Sequence, residues 1–399
     1  LAGANGFTKA GPGMLLLNNP SHSLSGTIDV SAGYLSLLNN AASLPNITNI
    51  NVGAAAQFAL GPYQAMPLPG TLTFDRPVTL NGNGAEPGAF VVRSFGAVTG
   101  IVSGPIHCAA AGRVTVYGTD VMLRLEGGIT GTAGDLRLQG QGGTAGHKSR
   151  FEIASPIRPA ANTILVATAS DATFVCMAPN VLPTNSTQQL SLAPATTGPN
   201  NRMVLALNGY DQQVCGLTSP AWAANNLEKR IVNRSTNFCT LTMNWSGGTT
   251  LGYAAVLGNP GNADDNNFRL VKEGTGTWQS NTTNYFTGGL HVKAGRTTWP
   301  AGINFTGGIL IDPGAFCRQQ GGGTLGTQSI TNNGVMEYNA TVAVTVNTPI
   351  SGSGSVSNIG AGPVTFNVPM TYTGATRNYN PNLTGSKLIQ FTSKALGGG

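Results

Sequence analysis

Cysteine is the residue type in this chain of 399 residues that could do redox or metal chemistry. The five copies lie far apart and form no Cys-x-x-Cys pair, which excludes a zinc knuckle and a thioredoxin-like motif: Cys108, Cys176, Cys215, Cys239 and Cys317. In a fold that repeats about every 24 residues, Cys215 and Cys239 would stack at about 5 Å, which suits a disulfide. We therefore hypothesise that Cys215 and Cys239 are bridged. Each remaining cysteine is interpreted as a buried apolar residue or a free thiol.

Histidine and aspartate could bind a metal ion, but their spacing does not favour a site. The four histidines fit no His-Glu-x-x-His or comparable ligand pattern: His22, His107, His147 and His291. Asp264 and Asp265 offer oxygen ligands of the kind that Ca²⁺ prefers, although a solvated polar loop explains the same residues. We expect that the protein holds no metal ion and no cofactor.

Paired carboxylates would be needed if this protein cut polysaccharides by acid and base chemistry. The chain has 15 acidic residues, and they are dispersed. The best pairs are Asp120 with Glu126 and Asp135 with Glu152, and neither stands out. We predict that the protein is not an enzyme and has no catalytic residues. A β-helical polysaccharide lyase or hydrolase is retained as an alternative.

Charge and hydropathy argue against nucleic-acid binding and against a membrane-spanning helix. Charged residues make up only 9% of the chain, and 21 Lys and Arg against 15 Asp and Glu give a net charge of +6. The basic residues never cluster, which argues against nucleic acid as a partner. No window of about 18 uninterrupted apolar residues occurs, so we expect no membrane-spanning helix.

Short strands are the elements that must position these residues. Apolar residues alternate with polar ones over four to six positions and are followed by Gly or Asn, a pattern typical of strands with one buried face. A helix is indicated only at 221–231, as one short turn at most. The runs with period two include Val114/Val116, Leu123/Leu125, Leu136/Leu138, Phe151/Ile153, Val204/Leu205/Leu207, Leu241/Met243, Val342/Val344/Val346 and Val364/Phe366/Val368.

An internal repeat indicates how the strands are arranged. The pattern apolar-x-Lys-x-Gly-x-Gly occurs in the units at 7–35 and 270–297, and each copy later contains Val-x-Ala-Gly; a degenerate third unit lies at 350–376. A unit of 20 to 25 residues cannot bury its own apolar face, but stacked units can. We therefore predict one all-β domain over 1–399, a right-handed parallel β-helix, or β-solenoid, with irregular loops.

The second copy carries a family resemblance. Residues LVKEGTGTW, followed by NTTNYFTGGLHVKAG, resemble the autotransporter-associated β-strand repeat, a passenger repeat of very large secreted bacterial surface proteins. Trp278 and Phe286 depart from that family's pattern but keep its apolar character. The resemblance implies an extended β-solenoid with a structural or adhesive role and no catalytic residues. The matching positions are Leu270, Lys272, Gly274, Gly276, Thr277, Asn284, Tyr285, Thr287, Gly288, Gly289, Val292, Ala294 and Gly295.

Stacked coils leave open strand edges, which pair readily with other strands. The sequence begins within a repeat and shows no helical cap, and a contact between unlike edges propagates as a filament. We therefore expect a non-enzymatic subunit of a secreted extracellular filament or cell-surface layer, whose copies bind head-to-tail through open edges or donated terminal strands. The candidate strands contain Leu1, Phe7 and Leu17 at one end and Lys387, Phe391 and Lys394 at the other.

A second interpretation is a monomeric adhesive passenger domain, cleaved from an autotransporter, that binds surface glycans or other cells. The first residue is Leu, and no signal-like segment follows it. We therefore expect a mature chain that is extracellular or on the cell surface after removal of an N-terminal signal.

Overall fold

The structure is a computed structural model, and its described part is almost entirely β-strand. The one helical element there is a 3₁₀ turn, Asp264–Asn266. This confirms the predicted all-β class. The helical turn indicated at 221–231 lies mostly outside the described residues, and a strand begins at Lys229. The described residues are 2–19, 22–38, 44–62, 70–142, 148–168, 171–184, 188–193, 202–220, 229–299, 305–322, 329–378 and 389–391.

The chain forms two compact units. Unit 1 comprises Leu1–Ala206 and Trp222–Lys229, and unit 2 comprises Leu207–Ala221 and Arg230–Gly399. The strands of unit 1 are β1 (Ala2–Gly3), β2 (Phe7–Lys9), β3 (Met14–Leu17), β4 (Ser23–Val30), β5 (Gly33–Leu37), β6 (Asn46–Val52), β7 (Ala56–Leu60), β8 (Thr71–Phe74), β9 (Val78–Leu80), β10 (Phe90–Ser94), β11 (Val98–Val102), β12 (Ile106–Cys108), β13 (Gly112–Gly118), β14 (Val121–Leu125), β15 (Ile129–Gly131), β16 (Leu136–Gln141), β17 (Lys148–Ile153), β18 (Ile157–Arg158), β19 (Thr163–Thr168), β20 (Asp171–Cys176), β21 (Gln189–Leu192) and β22 (Arg202–Ala206).

Unit 1 is a stack of coils whose strands line up in three parallel sheets. Sheet A has the order β4-β6-β9-β12-β15-β18, and both β1 and β2 pair with β4. Sheet B runs β3-β5-β7-β10-β13-β16-β19-β21, and sheet C runs β8-β11-β14-β17-β20-β22. Each strand therefore pairs with the strand one coil away rather than with its neighbour in sequence. This is the predicted parallel β-solenoid.

Unit 2 has the same construction. The first strands of unit 2 are β23 (Gln212–Val214), β24 (Gly216–Thr218) and β25 (Lys229–Val232), and β25 starts at the unit boundary. The remaining strands of unit 2 follow β25 in the chain. They are β26 (Cys239–Asn244), β27 (Leu251–Tyr253), β28 (Val256–Leu257), β29 (Phe268–Glu273), β30 (Thr277–Ser280), β31 (Leu290–Val292), β32 (Arg296–Trp299), β33 (Ile309–Ile311), β34 (Phe316–Gln320), β35 (Ile330–Asn332), β36 (Val335–Asn339), β37 (Val344–Val346), β38 (Ile350–Ser351), β39 (Ser355–Asn358), β40 (Val364–Phe366), β41 (Thr376–Asn378) and β42 (Ile389–Phe391).

Three parallel sheets also organise unit 2. Sheet D runs β23-β26-β29-β31-β33-β35-β38, sheet E runs β27-β30-β32-β34-β36-β39-β41, and sheet F runs β37-β40-β42. In sheet D the register advances from Leu270 to Leu290, Ile309, Ile330 and Ile350, so these coils are 19–21 residues long. Their length agrees with the repeat read from the sequence.

The core consists of columns of like side chains. In sheet B, one column of register partners contains Leu15, Leu35, Phe58, Phe90, Val114, Leu138, Leu165 and Leu192. Aromatic rings also meet between coils: Phe151 and Phe174 are register partners whose rings stack with centroids 4.9 Å apart, and Trp278 and Trp299 pack edge to face at 5.3 Å. The period-two runs therefore do mark strands, although three of them extend past the strand, at Leu207, Val342 and Val368.

Replacing Phe174 with Ala should destabilise unit 1 strongly. Phe174 is fully buried against Phe151, so the substitution leaves a cavity and costs about 3–5 kcal/mol of unfolding free energy. Urea denaturation followed by circular dichroism measures this loss. The control is Phe95→Ala, because that phenyl ring is 52% exposed and its removal should change stability little. Equal losses for the two variants would contradict the buried column.

Candidate functional site

The repeated Lys-Gly motif builds a corner in which a lysine ammonium binds backbone carbonyls. Lys272 is the penultimate residue of β29, just before the bend, and its Nζ donates to the carbonyls of Glu273 and Gly274 at 2.6 Å each. It also reaches the carbonyls of Trp245 and Ala294, one coil away on each side, at 3.4 Å. The regular ladder ends at such a corner, and the ammonium supplies a further donor to these carbonyls; those of Glu273 and Trp245 also accept a backbone N–H.

The first copy of the motif builds the same corner in unit 1. Lys9 Nζ donates to the carbonyls of Ala10, Gly11 and Ala32, at 3.0, 2.7 and 3.0 Å. The glycine of Val-x-Ala-Gly is required in both corners because its φ is +70° at Gly33 and +66° at Gly295. A Cβ on either would lie 2.5 Å from two carbonyl oxygens of the adjacent coil. The two sequence copies thus form equivalent structures.

Asn332 replaces the lysine at the corner beside the degenerate copy. In sheet D the position of Lys272 aligns with Val292, Ile311 and then Asn332. Asn332 Nδ2 donates to the carbonyl of Ser355 at 2.8 Å, and its Oδ1 accepts from the amide of Gly334 at 3.2 Å. At this corner a neutral side-chain amide binds the backbone groups in place of the ammonium, since it offers both a donor and an acceptor.

The Lys272 corner carries an electrostatic cost. Its side chain is fully buried, and burial lowers the pKa of Lys272 to about 8, against the opposing effect of the Glu273 carboxylate. The ammonium is therefore held by its carbonyl partners in a place that disfavours its charge.

The structure does not bring the candidate catalytic carboxylates together. Asp120 precedes β14 and Glu126 follows it, so the two lie about 20 Å apart along that strand. Glu126 pairs with Arg124 at 2.9 Å. Asp135 binds the amide N–H of Asn162, before sheet B, whereas Glu152 lies in sheet C and pairs with Arg150. Glu126, Asp135 and Glu152 are thus each engaged with a neighbouring group of the coils.

Metal-ligating side chains are also dispersed. Among the described residues, no group of three or more His, Cys, Asp and Glu side chains could hold a metal ion. His107 bonds the Thr130 hydroxyl at 3.1 Å, and His291 Nε2 lies 2.9 Å from Asp312. His147 lies outside the described residues, and His22 is buried.

The loop with two adjacent aspartates is only half solvated. Asp264 is exposed, as expected of a polar loop, whereas Asp265 is 5% exposed. Asp265 Oδ2 accepts from Asn259 Nδ2 at 2.8 Å, and its backbone carbonyl accepts from the amide of Asn233 at 3.0 Å. Asp265 thus fastens this loop to the preceding coil, which corrects the solvated-loop interpretation at that residue.

Cys215 and Cys239 do not form the hypothesised disulfide in this structure. All five cysteines are buried and none of them is in a disulfide. Burial raises the pKa of Cys108, Cys239 and Cys317 to about 12. The coil here is 29 residues long, because Gln212 aligns with Leu241 and Val214 with Met243. Continuing that register places Cys215 beside Asn244, about five residues, or roughly 16 Å, from Cys239.

The strands proposed for exchange between copies lie partly in ordinary ladders. Phe7 pairs with Ile28, Leu17 with Leu37, and Phe391 with Phe366 of the same chain. Leu1, Lys387 and Lys394 lie outside the described residues.

Among the strands that the structure describes, β3 is the outermost of sheet B, and it presents an open edge there. The carbonyls of Gly13 and Leu17 accept from the amides of Tyr34 and Leu38, at 3.3 and 3.2 Å. Because alternate residues of a strand point their backbone groups to opposite sides, those of Leu16 point away from β5. Leu16 is half-buried and its neighbour Met14 is 44% exposed, so this edge is also apolar.

Unit 2 carries a groove that no sequence motif marks. It has a volume of about 260 Å³ and is lined by the polar side chains of Arg269, His291, Ser329 and Thr331, with Gly288 and Gly308 among its other lining residues. Its residues are far apart in the sequence, and no local pattern marks them. They become neighbours only because successive coils stack.

Comparison of the chain with models of protein families, with curated proteins and with solved structures gave no match. Within the described ranges, no helix has the length and apolar character needed to cross a bilayer. The fold and the geometry of the sites therefore carry the functional argument.

The buried Lys272 should give stability a specific dependence on pH. Since its pKa is lowered from 10.5 to about 8, the folded state holds this proton less tightly than the unfolded chain. Unfolding free energy should therefore rise as pH increases from about 8 to 10, by on the order of 2–3 kcal/mol, relative to a Lys272→Met variant. Urea denaturation at several pH values measures the difference between the two proteins.

Lys293→Met is the control, because Lys293 is exposed and pairs with Glu273 on the surface at 2.8 Å. It should follow the wild-type pH profile apart from a small constant offset. If Lys272→Met and the wild type kept a constant difference in unfolding free energy from pH 7 to 10, the lowered pKa of Lys272 would be wrong.

Proposed function

We propose that this protein is a non-enzymatic structural subunit of an extracellular filament or cell-surface layer, in which coils of one copy stack on coils of the next. The observation that carries the proposal is the open edge at β3. Its outward backbone groups and its leucines are those that a further coil would pair with and cover.

The interior of the edge supports the same contact. Leu15 lies at the end of the apolar column that continues through Leu35 and Phe58, and it is only half-buried where those two are fully buried. A copy that adds a strand here would extend the column by one step of about 4.8 Å and remove Leu15 from water. Such a contact joins unlike surfaces, so it continues from copy to copy.

The edge that receives β3 would be the edge of unit 2 formed by β41 and β42 in another copy. There β41 ends sheet E, β42 ends sheet F, and every residue of β41 is exposed. The resemblance of 270–297 to autotransporter-associated repeats supports an extracellular, bacterial setting for such an assembly. The alternative function, a monomeric adhesive passenger, predicts that these edges stay unpaired between copies.

Light scattering after size exclusion, beside negative-stain electron microscopy, tests the assembly. The wild type should elute as polymers and show fibres or sheets, whereas Leu16→Pro should elute mainly near 40.8 kDa. Proline removes the outward N–H of Leu16 and leaves the ladder with β5 intact. The control Phe95→Ser removes an exposed apolar side chain elsewhere in unit 1 and should still assemble.

A wild type that elutes as a single 40.8 kDa species at every concentration would exclude self-assembly and favour the passenger interpretation. Polymers that persist unchanged in Leu16→Pro, with circular dichroism showing normal folding, would show that β3 is not the assembling edge.

A further inference from the structure

We propose that unit 2 binds an anionic saccharide in the groove beside Phe238, with Arg269 contacting the acidic group of the sugar. This binding site lies on the flank of the coils, not at a strand edge. Saccharide binding at this site therefore does not depend on whether copies of the protein assemble.

The groove crosses successive coils and so presents polar groups at regular steps. Gly288 precedes β31, Gly308 precedes β33 and Ser329 precedes β35, and all three line the groove. In the register of sheet D, His291, Leu310 and Thr331 follow one another from coil to coil. The step between them is about 4.8 Å, so a polymer of sugar rings lying along the stack would meet a new polar side chain at each coil or two.

Phe238 provides an apolar platform at the side of the groove. Its ring is 47% exposed, which is unusual for a phenyl ring in this protein. The ring lies directly over Gly288, where a Cβ would come within 2.5 Å of it, and the guanidinium carbon of Arg269 is 5.7 Å from its centroid. An aromatic ring held in this way can cover the C–H face of a sugar while polar neighbours bind its hydroxyls.

The charges of the groove select an acidic ligand. Asp312, beside the groove, is already engaged by His291, whose Nε2 lies 2.9 Å from its carboxylate, whereas the guanidinium of Arg269 is open to a ligand. Arg269 is exposed and makes no ion pair with any described residue. Its planar guanidinium suits a carboxylate or sulfate through two parallel hydrogen bonds.

A saccharide fits this chemistry better than other anions do. One unpaired arginine is too little positive charge for a nucleic acid, whose binding depends on many phosphate contacts. The exposed hydroxyl-bearing residues Ser329 and Thr331 offer neutral partners for sugar hydroxyls, and the groove is open along the stack.

Isothermal titration calorimetry at low ionic strength tests the site with three probes: oligogalacturonate, a sulfated galactan oligosaccharide, and a neutral galacto-oligosaccharide of the same length. At least one acidic probe should bind, and the neutral one should bind at least tenfold more weakly. Arg269→Gln and Phe238→Ala should each weaken binding of the acidic probe about tenfold or more, a loss of about 1.4 kcal/mol.

Arg124→Gln and Phe95→Ala are the controls, because they remove a half-buried arginine that pairs with Glu126 and an exposed phenyl ring, both in unit 1. Both should bind as the wild type does. Absence of binding to both acidic probes, equal affinity for the neutral probe, or equal losses in the control variants would each overturn the proposal. Circular dichroism confirms that the exposed substitutions leave the fold intact.

Discussion

Parallel register between coils is the constraint on which the whole structure depends. Because each strand pairs with the strand one coil away, every side chain lies against the residue at the same position of the next coil. Apolar columns such as Leu35, Phe58 and Phe90 satisfy this directly. On the outer faces, stacked like charges would repel, whereas Asn51 can donate to Asp29 at 2.7 Å. The 9% charged content follows from this geometry.

At the corners, the register between coils does not satisfy every backbone group, because the strands end there and some carbonyls have no partner in the ladder. Lys9 and Lys272 solve this with an ammonium that binds three or four carbonyls, and Asn332 solves it with a side-chain amide. A positively charged group can remain buried there because carbonyl oxygens surround it, although burial lowers its pKa in the case of Lys272. The motif is thus a device for turning the chain.

Local sequence patterns predicted what is decided within a coil, and missed what depends on coil length. Alternation at Leu136 and Leu138 identified a strand, and the Lys-Gly motif identified two repeat units, whose equivalent corners only the structure shows. The Cys215–Cys239 pairing assumed a coil of 24 residues, but loops lengthen that coil to 29. The groove at Phe238 was missed for the same reason, because its residues meet only after the true register is known.

Function in a solenoid must reside on the parts that stacking leaves uncovered. Columns such as Leu270, Leu290 and Ile309 are buried in the core, so only the open edges and the flanks of the coils are accessible to partners. Contacts at an open edge are made by backbone groups, which are the same in every strand. Their specificity must therefore come from the side chains that extend an apolar column, such as Leu15 in β3. Flanks differ, because coils of 19–21 residues have little room for covering loops and leave side chains such as Arg269 in water. The proposed assembly contact at β3 of unit 1 and the proposed saccharide site at Arg269 of unit 2 therefore use different surfaces, and neither proposal requires the other.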